Sequence, residues 1–440
     1  MKEQKTAGEA RRIAPLRRLE GRVAAPPSKS VTQRALLAAS LAPGVSRLRR
    51  PLLADDAERM MAALDTVGVA VRRRDAGGEV VLEVDGNPGA RPVDCPTLNV
   101  GNAGTTMRFL AARLALCEAP CILDGDRRMR QRPIEDLLAA LRRLGGAAES
   151  LHGDGCPPAR VGGRGLLGGR ARLPGARSSQ YLSALLLAAP GMADGVDIEI
   201  EGDLVSRPYV DLTLDTMRRF GVPATPAPPS AAARRFTVAA GLRYRPADLR
   251  IEGDYSSASY FFAAAAIVPG RVEVSGLEPQ SLQGDAGFLD LLQEMGCRVD
   301  RQTDAIAVEG PERLRSPGSV DLAGMPDLAP TLAVVALFAD GETAIRGVPH
   351  LRLKESDRIA VLCETVALLG GDARATDDGL VIRSRRLHGA QIDPHGDHRM
   401  AMAFAIAGLR LPDMAVSNPA CVSKSYPAFW DDLEHLASGS

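Results

Sequence analysis

Lysine is scarce in this sequence, and its positions are informative. Of 54 basic residues only five are lysines, at 2, 5, 29, 354 and 424, so arginine serves wherever a positive charge merely faces water. Lysine is a compact point charge on a flexible stem, whereas arginine is a wide, permanently charged fork. Lys29, Lys354 and Lys424 are therefore candidates for places where a fork will not serve. Lys354 and Arg358 are four residues apart and Glu355 and Arg358 three apart, so in one helical turn the three side chains share an edge. The chemistry expected of such a group is anion binding beside a carboxyl that can move a proton.

Other polar candidates gather where apolar runs begin. Ser28, Lys29 and Ser30; Asn102, Gly104 and Thr105; Ser178, Ser179 and Gln180; Ser256 and Ser257; Asp327; and Asp397, His398 and Arg399 stand just before or within the first turn of Ala-rich segments. Helix N-termini present unpaired amides and a partial positive charge, so several converging ends would form an anion site. Ser256 and Ser257 read as caps. At the other starts, Lys29, Arg34, Gln180, Arg207 and Arg399 exceed what capping needs. The loop 124–133 is arginine-rich, and Arg132, held extended by Pro133, is expected to point outward at an anion.

The elements that must position these residues form a repeat. Segments 30–41, 105–116, 179–189, 257–267, 328–338 and 398–408 are apolar nearly all round, as buried helices are. Each of the first five is followed by a helix with a charged face that ends in glycine, at Gly68, Gly145, Gly221, Gly296 and Gly370, every 74 to 77 residues. Strand-like runs such as 79–84, 196–200 and 271–275 lie between. The chain thus divides into six mixed helix-and-strand units of about 73 residues, three to a domain. The irregular stretch 223–248, with Pro, Ala and Ser clustered near Pro228 and Pro229, is expected to be the crossover in the middle of the chain.

Composition narrows the function. A net charge of zero and 4% aromatic residues argue against a nucleic-acid surface or a base-stacking platform. No apolar stretch approaches the ~18 residues of a membrane helix. Seven cysteines lack zinc spacing and read as reduced, mostly buried thiols. Residues 1–20 lack the apolar region of a secretory signal, so a cytoplasmic location is expected. There is no phosphate loop, dinucleotide fingerprint or His-based metal signature.

Eight motifs in order make the reading specific: Pro27-Ser28-Lys29-Ser30 with Arg34, Gly101-Asn102-Ala103-Gly104-Thr105, Gln131-Arg132-Pro133, Ser178-Ser179-Gln180, Ser206-Arg207-Pro208-Tyr209, Lys354-Glu355-Ser356-Asp357-Arg358, Asp397-His398-Arg399-Met400 and Ser423-Lys424-Ser425. From about residue 20 to the C-terminus, the chain resembles the 5-enolpyruvylshikimate-3-phosphate synthase family. The resemblance implies an α/β fold of two similar domains, each an inside-out α/β barrel of three helix-and-strand units. The domains would be 24–249 and 1–23 plus 250–440, with hinges near Val23 and Arg250. It also implies transfer of the enolpyruvyl group of phosphoenolpyruvate to the 5-hydroxyl of shikimate 3-phosphate through a tetrahedral intermediate, with release of phosphate. No metal or cofactor is expected, no nucleic-acid or membrane partner, and a monomer.

Carried over by position, Lys29, Ser30, Arg34, Ser178, Ser179, Gln180, Ser206, Tyr209, Asp327 and Lys354 would hold shikimate 3-phosphate. Lys29, Asn102, Gly104, Arg132, Gln180, Arg358, Arg399 and Lys424 would hold phosphoenolpyruvate. Asp327, Glu355 and Lys29 would be catalytic, with Asp327 orienting or deprotonating the hydroxyl and Glu355 exchanging the proton at the methylene carbon. Departures from the family pattern are Pro27 for Gly, Gln33 for Asn, Phe109 for Pro, and His350 where Asn is common. Glyphosate, which in that family occupies the phosphoenolpyruvate position, is expected to inhibit. Gly104 leaves room for it, and Phe109 works partly against it. The related UDP-N-acetylglucosamine enolpyruvyl transferases use a cysteine in the loop before Arg-Pro, and residues 124–132 contain none. An inactive anion-binding paralogue is the other alternative, one that would need neither Asp327 nor Glu355.

Overall fold

A computed structural model describes residues 10–227 and 234–439. The chain forms two compact units. Among the described residues, the first is Pro27–Glu252, and the second joins those up to Pro26 with those from Gly253 onward.

The first unit holds three four-stranded sheets with one pattern. Thr97–Asn99 runs parallel to Pro120–Asp124, which pairs antiparallel with Ala159–Gly162, which pairs antiparallel with Ala148–Ser150. The same parallel, antiparallel, antiparallel order joins Gly169–Pro174, Val196–Glu201, Arg235–Val238 and Thr225–Ala227, and Asp248–Arg250, Gly44–Arg49, Val80–Gly86 and Ala70–Asp75. In the second unit Leu19–Ala24 starts one such sheet beside Gly270–Ser275, and Ser319–Asp321 starts another beside Glu342–Arg346. The sixth copy is three-stranded, with Arg11–Ile13 as its antiparallel edge on Met414–Val416 and Gln391–Ile392 parallel on the other side. Leu314–Arg315 and Ala339–Asp340 form a separate two-stranded piece.

The six apolar segments are helices: Lys29–Ser40, Gly104–Ala115 and Ser179–Ala188 in the first unit, and Tyr255–Ile267, Ala329–Leu337 and His398–Gly408 in the second. Each is buried along nearly its whole length and belongs to the hydrophobic core of its own unit. The flanking helices stop alike. Gly68, Gly145, Gly221, Gly296 and Gly370 have φ between 82° and 103°. After each, the next amide donates back to the carbonyl five residues earlier, as in Val69 to Leu64 and Val222 to Met217. This is the helix stop that only a left-handed residue completes, so glycine is what the repeat needs there.

The stretch 223–248 is not the connection expected. Thr225–Ala227 and Arg235–Val238 pair antiparallel in the sheet of the first unit that begins with Gly169–Pro174, while Pro228 and Pro229 lie outside the described residues. All seven cysteines are unpaired, but only Cys117, Cys121 and Cys297 are buried, the other four being partly exposed. No helix among the described residues is long and apolar enough to cross a membrane.

Candidate active site

In the first unit, four helix starts carry the candidates, those of Lys29, Gly104, Ser179 and Arg207. Ser28 caps the Lys29 helix by accepting from the Val31 amide, which leaves Lys29 in the first turn, 3.3 Å from Asp56. Asp56 lies in the first turn of the helix Asp55–Thr66 and reads in the sequence as ordinary N-terminal acid, so its pairing with Lys29 has no sequence signal. Ser178 caps the next start by accepting from the Gln180 amide at 3.2 Å, and Gln180 Nε2 donates to Thr105 Oγ1 at 3.1 Å. Ser206 precedes the helix Arg207–Arg219 with φ 55°, a left-handed conformation uncommon for a serine. Such outliers concentrate at functional sites.

Arg34 is buried beneath these starts. Its Nε donates to Thr213 Oγ1, its Nη1 to the Ser30 carbonyl and its Nη2 to the Tyr209 carbonyl, all within 2.8–2.9 Å. The rings of Phe109 and Tyr209 lie 5.4 and 5.9 Å from its Cζ. Burial lowers its pKa to about 10, so it remains a cation at neutral pH, tying Ser30 to Tyr209. Arg207, grouped above with the anion-site residues, instead pairs with Asp211 and lies over Phe236.

Arg132 corrects a second expectation. Its backbone is extended, with φ −94° and ψ 118°, but the side chain is buried rather than pointing outward. Nη1 donates to the carbonyl and the Oδ1 of Asn102, at 3.2 and 3.0 Å. A Cβ on Gly104 would stand 2.5 Å from Arg132 Nη2, so the missing side chain is what lets the guanidinium lie on the first turn of the Gly104 helix.

In the second unit the charges converge on Arg358. Its Nε donates to Asp397 Oδ2 at 2.8 Å, its Nη1 to Asp327 Oδ1 at 3.0 Å, and its Nη2 to Glu355 Oε2 at 2.9 Å. Burial opposes the charge on Arg358, yet Asp397, Glu355 and Asp327 outweigh it and raise the pKa. Asp397 is fully buried and also caps the His398 helix by accepting from the Arg399 amide at 3.0 Å. Arg399 Nη2 donates to the other oxygen of Asp327 at 2.7 Å, so Asp327 joins the two arginines. Lys424, ending the turn Pro419–Lys424, is buried as well.

Two expectations fail here. Lys354 and Glu355 are not helical, because Asp357 caps a helix that begins only at Arg358. Ser256 and Ser257 are not the caps: Asp254 caps that helix through the Ser257 amide, and the Ser256 hydroxyl faces Arg399 Nη1. Among the described residues, no group of three or more His, Cys, Asp or Glu side chains could hold a metal ion, and the carboxylates around Arg358 are satisfied by guanidinium.

Residues 13–433 match the family model described as EPSP synthase (3-phosphoshikimate 1-carboxyvinyltransferase). The chain belongs to the EPSP synthase family. A 3-phosphoshikimate 1-carboxyvinyltransferase of Methanoculleus marisnigri is 45% identical over 93% of this chain and 95% of that one. A chloroplastic enzyme of the same name from Brassica napus is 41% identical over 96% of this chain and 84% of its own. The solved EPSP synthase of Acinetobacter baumannii superposes with a TM-score of 0.79 at 25% identity, covering 98% of both chains.

Against the EPSP synthase pattern, two departures fall in informative places. The ring of Phe109 is buried against Arg34. His350 is buried, and neither ring nitrogen has a hydrogen-bond partner. Burial, then Lys354, lowers its pKa to about 3, with Asp327 opposing and Arg358 assisting. The ordinary value is about 6.5, so between the two values only the unfolded chain holds the extra proton and stability falls as pH falls. His350→Asn should remove this dependence. From about pH 7.5 to about pH 5.5, its unfolding free energy in urea should fall about 1.4 kcal/mol less than that of the wild type. Equal declines would contradict the buried neutral imidazole.

Proposed function

We propose that these two sets of side chains divide the labour of enolpyruvyl transfer. The reaction is that of the family: the enolpyruvyl group of phosphoenolpyruvate passes to the 5-hydroxyl of shikimate 3-phosphate, and phosphate leaves. Two polyanions must approach each other, and fixed cations offset their repulsion without reorganising. Lys29, Ser30, Ser178, Ser179, Gln180, Ser206, Tyr209 and Lys354 bind shikimate 3-phosphate, with Arg34 holding the backbone of Ser30 and Tyr209. Lys29, Asn102, Gly104, Arg132, Gln180, Arg358, Arg399 and Lys424 bind phosphoenolpyruvate.

Addition forms a bond from the 5-oxygen to C2 of phosphoenolpyruvate while C3 takes a proton. Asp327 orients the hydroxyl and accepts its proton, and Glu355 delivers the proton to C3. Elimination reverses the second transfer: Glu355 removes a proton from C3 as the C2–O bond to phosphate breaks. The observation that carries this reading is that Arg358 holds Asp327 and Glu355 at 3.0 and 2.9 Å on different nitrogens, fixing base and acid to one cation. Shikimate 3-phosphate and phosphoenolpyruvate bring negative charge, which offsets the preference of Lys354 and Arg358 for an ionised Glu355 and makes it competent as an acid.

Lys424→Met tests the allocation. It should raise the KM for phosphoenolpyruvate with little change in that for shikimate 3-phosphate, and an unchanged phosphoenolpyruvate constant would show Lys424 to be structural. A monomeric, cytoplasmic enzyme is part of the same proposal, the seven unpaired thiols supporting the compartment.

A further inference from the structure

Arg132 is held in place by more than its own side chain. The carbonyl of the next residue, Pro133, accepts from two side chains, Arg108 Nη2 at 3.2 Å and Tyr181 Oη at 2.7 Å. Arg108 Nη1 donates in turn to the carbonyl of Gly104 at 3.0 Å. One guanidinium therefore bridges the first residue of the Gly104 helix and the residue that follows Arg132. The hydroxyl of Tyr181, from the adjacent Ser179 helix, closes the knot. Arg108, Arg132 and Tyr181 are each 5% exposed or less, so water does not readily replace these bonds. Burial raises the pKa of the Tyr181 phenol, which keeps it a neutral donor.

The fit leaves little latitude. Arg132 Nη2 occupies the space that any side chain at position 104 would need, and its Nη1 is directed at Asn102. A displacement of about 1 Å in the loop would carry the guanidinium off that turn, and errors of that size in a positioned group are felt strongly. We infer that Arg108 and Tyr181 are positioning residues for phosphoenolpyruvate binding, acting by fixing the Pro133 carbonyl and with it the backbone from which Arg132 reaches the start of the Gly104 helix. The inference rests on the assignment of Arg132 to phosphoenolpyruvate given above. Neither residue touches a substrate in this account.

The test compares three variants by steady-state kinetics with each substrate varied in turn. Tyr181→Phe removes one hydroxyl and keeps the ring, so the core is preserved. It should raise the KM for phosphoenolpyruvate roughly 2- to 10-fold, the worth of one hydrogen bond, with kcat and the KM for shikimate 3-phosphate essentially unchanged. Arg108→Lys keeps the charge but cannot span two carbonyls, and should raise the same constant about tenfold or more. Arg132→Lys is the control for the underlying assignment. If it leaves the phosphoenolpyruvate constant unchanged, Arg132 does not bind that substrate and the inference falls with it. If it raises that constant while Tyr181→Phe leaves it unchanged, or moves both substrates' constants equally, only the positioning role is overturned. Tyr181→Phe decides the matter even if Arg108→Lys fails to fold.

Discussion

Glu355→Gln should lower turnover by roughly 100- to 10,000-fold, the usual worth of general acid catalysis. Binding of shikimate 3-phosphate should stay nearly intact. Amide and carboxyl are close in size, and an amide oxygen can still accept from Arg358 Nη2, which the carboxylate does at 2.9 Å. The amide cannot deliver a proton to C3 or remove one. Single-turnover kinetics would locate the loss in the proton-transfer steps, and calorimetry would check the affinity. Turnover within a few-fold of wild type would remove Glu355 from the mechanism.

Arg358→Met should be the most damaging change to the fold of the site. Arg358 is 1% exposed and pairs with Asp397, Asp327 and Glu355. Removing one partner of a buried ionic cluster leaves uncompensated charge and typically costs about 3–5 kcal/mol. Without the guanidinium the buried Asp397 and the partly buried Glu355 would hold their protons more tightly in the folded state than in the unfolded one, while Asp327 keeps Arg399. Stability from such groups is present at low pH and lost as pH rises through the folded pKa. The deficit relative to wild type should therefore be largest near neutral pH and shrink on acidification. Urea unfolding at about pH 7.5 and about pH 5 would measure it. A deficit below about 1 kcal/mol at neutral pH, or one that grows on acidification, would show that Arg358 does not neutralise the cluster.

The repeated scaffold was legible in the sequence because its signals are local. A helix that is apolar all round announces its burial, and a left-handed glycine at the same place in five units announces a common junction. What was not legible depended on neighbours distant in sequence. Nothing local to Arg34 says that its three donors meet Thr213, Ser30 and Tyr209. Nothing local to Arg132 says that it turns inward to Asn102 and lies on Gly104. The reading of Ser256 as a cap failed because Asp254, two residues earlier, was a better acceptor, leaving the serine hydroxyl for Arg399. Ser356 and Asp357 before an apolar run form a recognisable helix start, which leaves Lys354 outside the helix. Asp397 held the most hidden role. It caps one helix and anchors the arginine that begins another, Arg358, a double use that follows only from tertiary packing.

The most direct test of the account is phosphate release from phosphoenolpyruvate by the purified protein, measured with each acceptor in turn. Release should require shikimate 3-phosphate and be absent with phosphoenolpyruvate alone. Release with UDP-N-acetylglucosamine and none with shikimate 3-phosphate would contradict the assignment of both the acceptor and the residues that hold it.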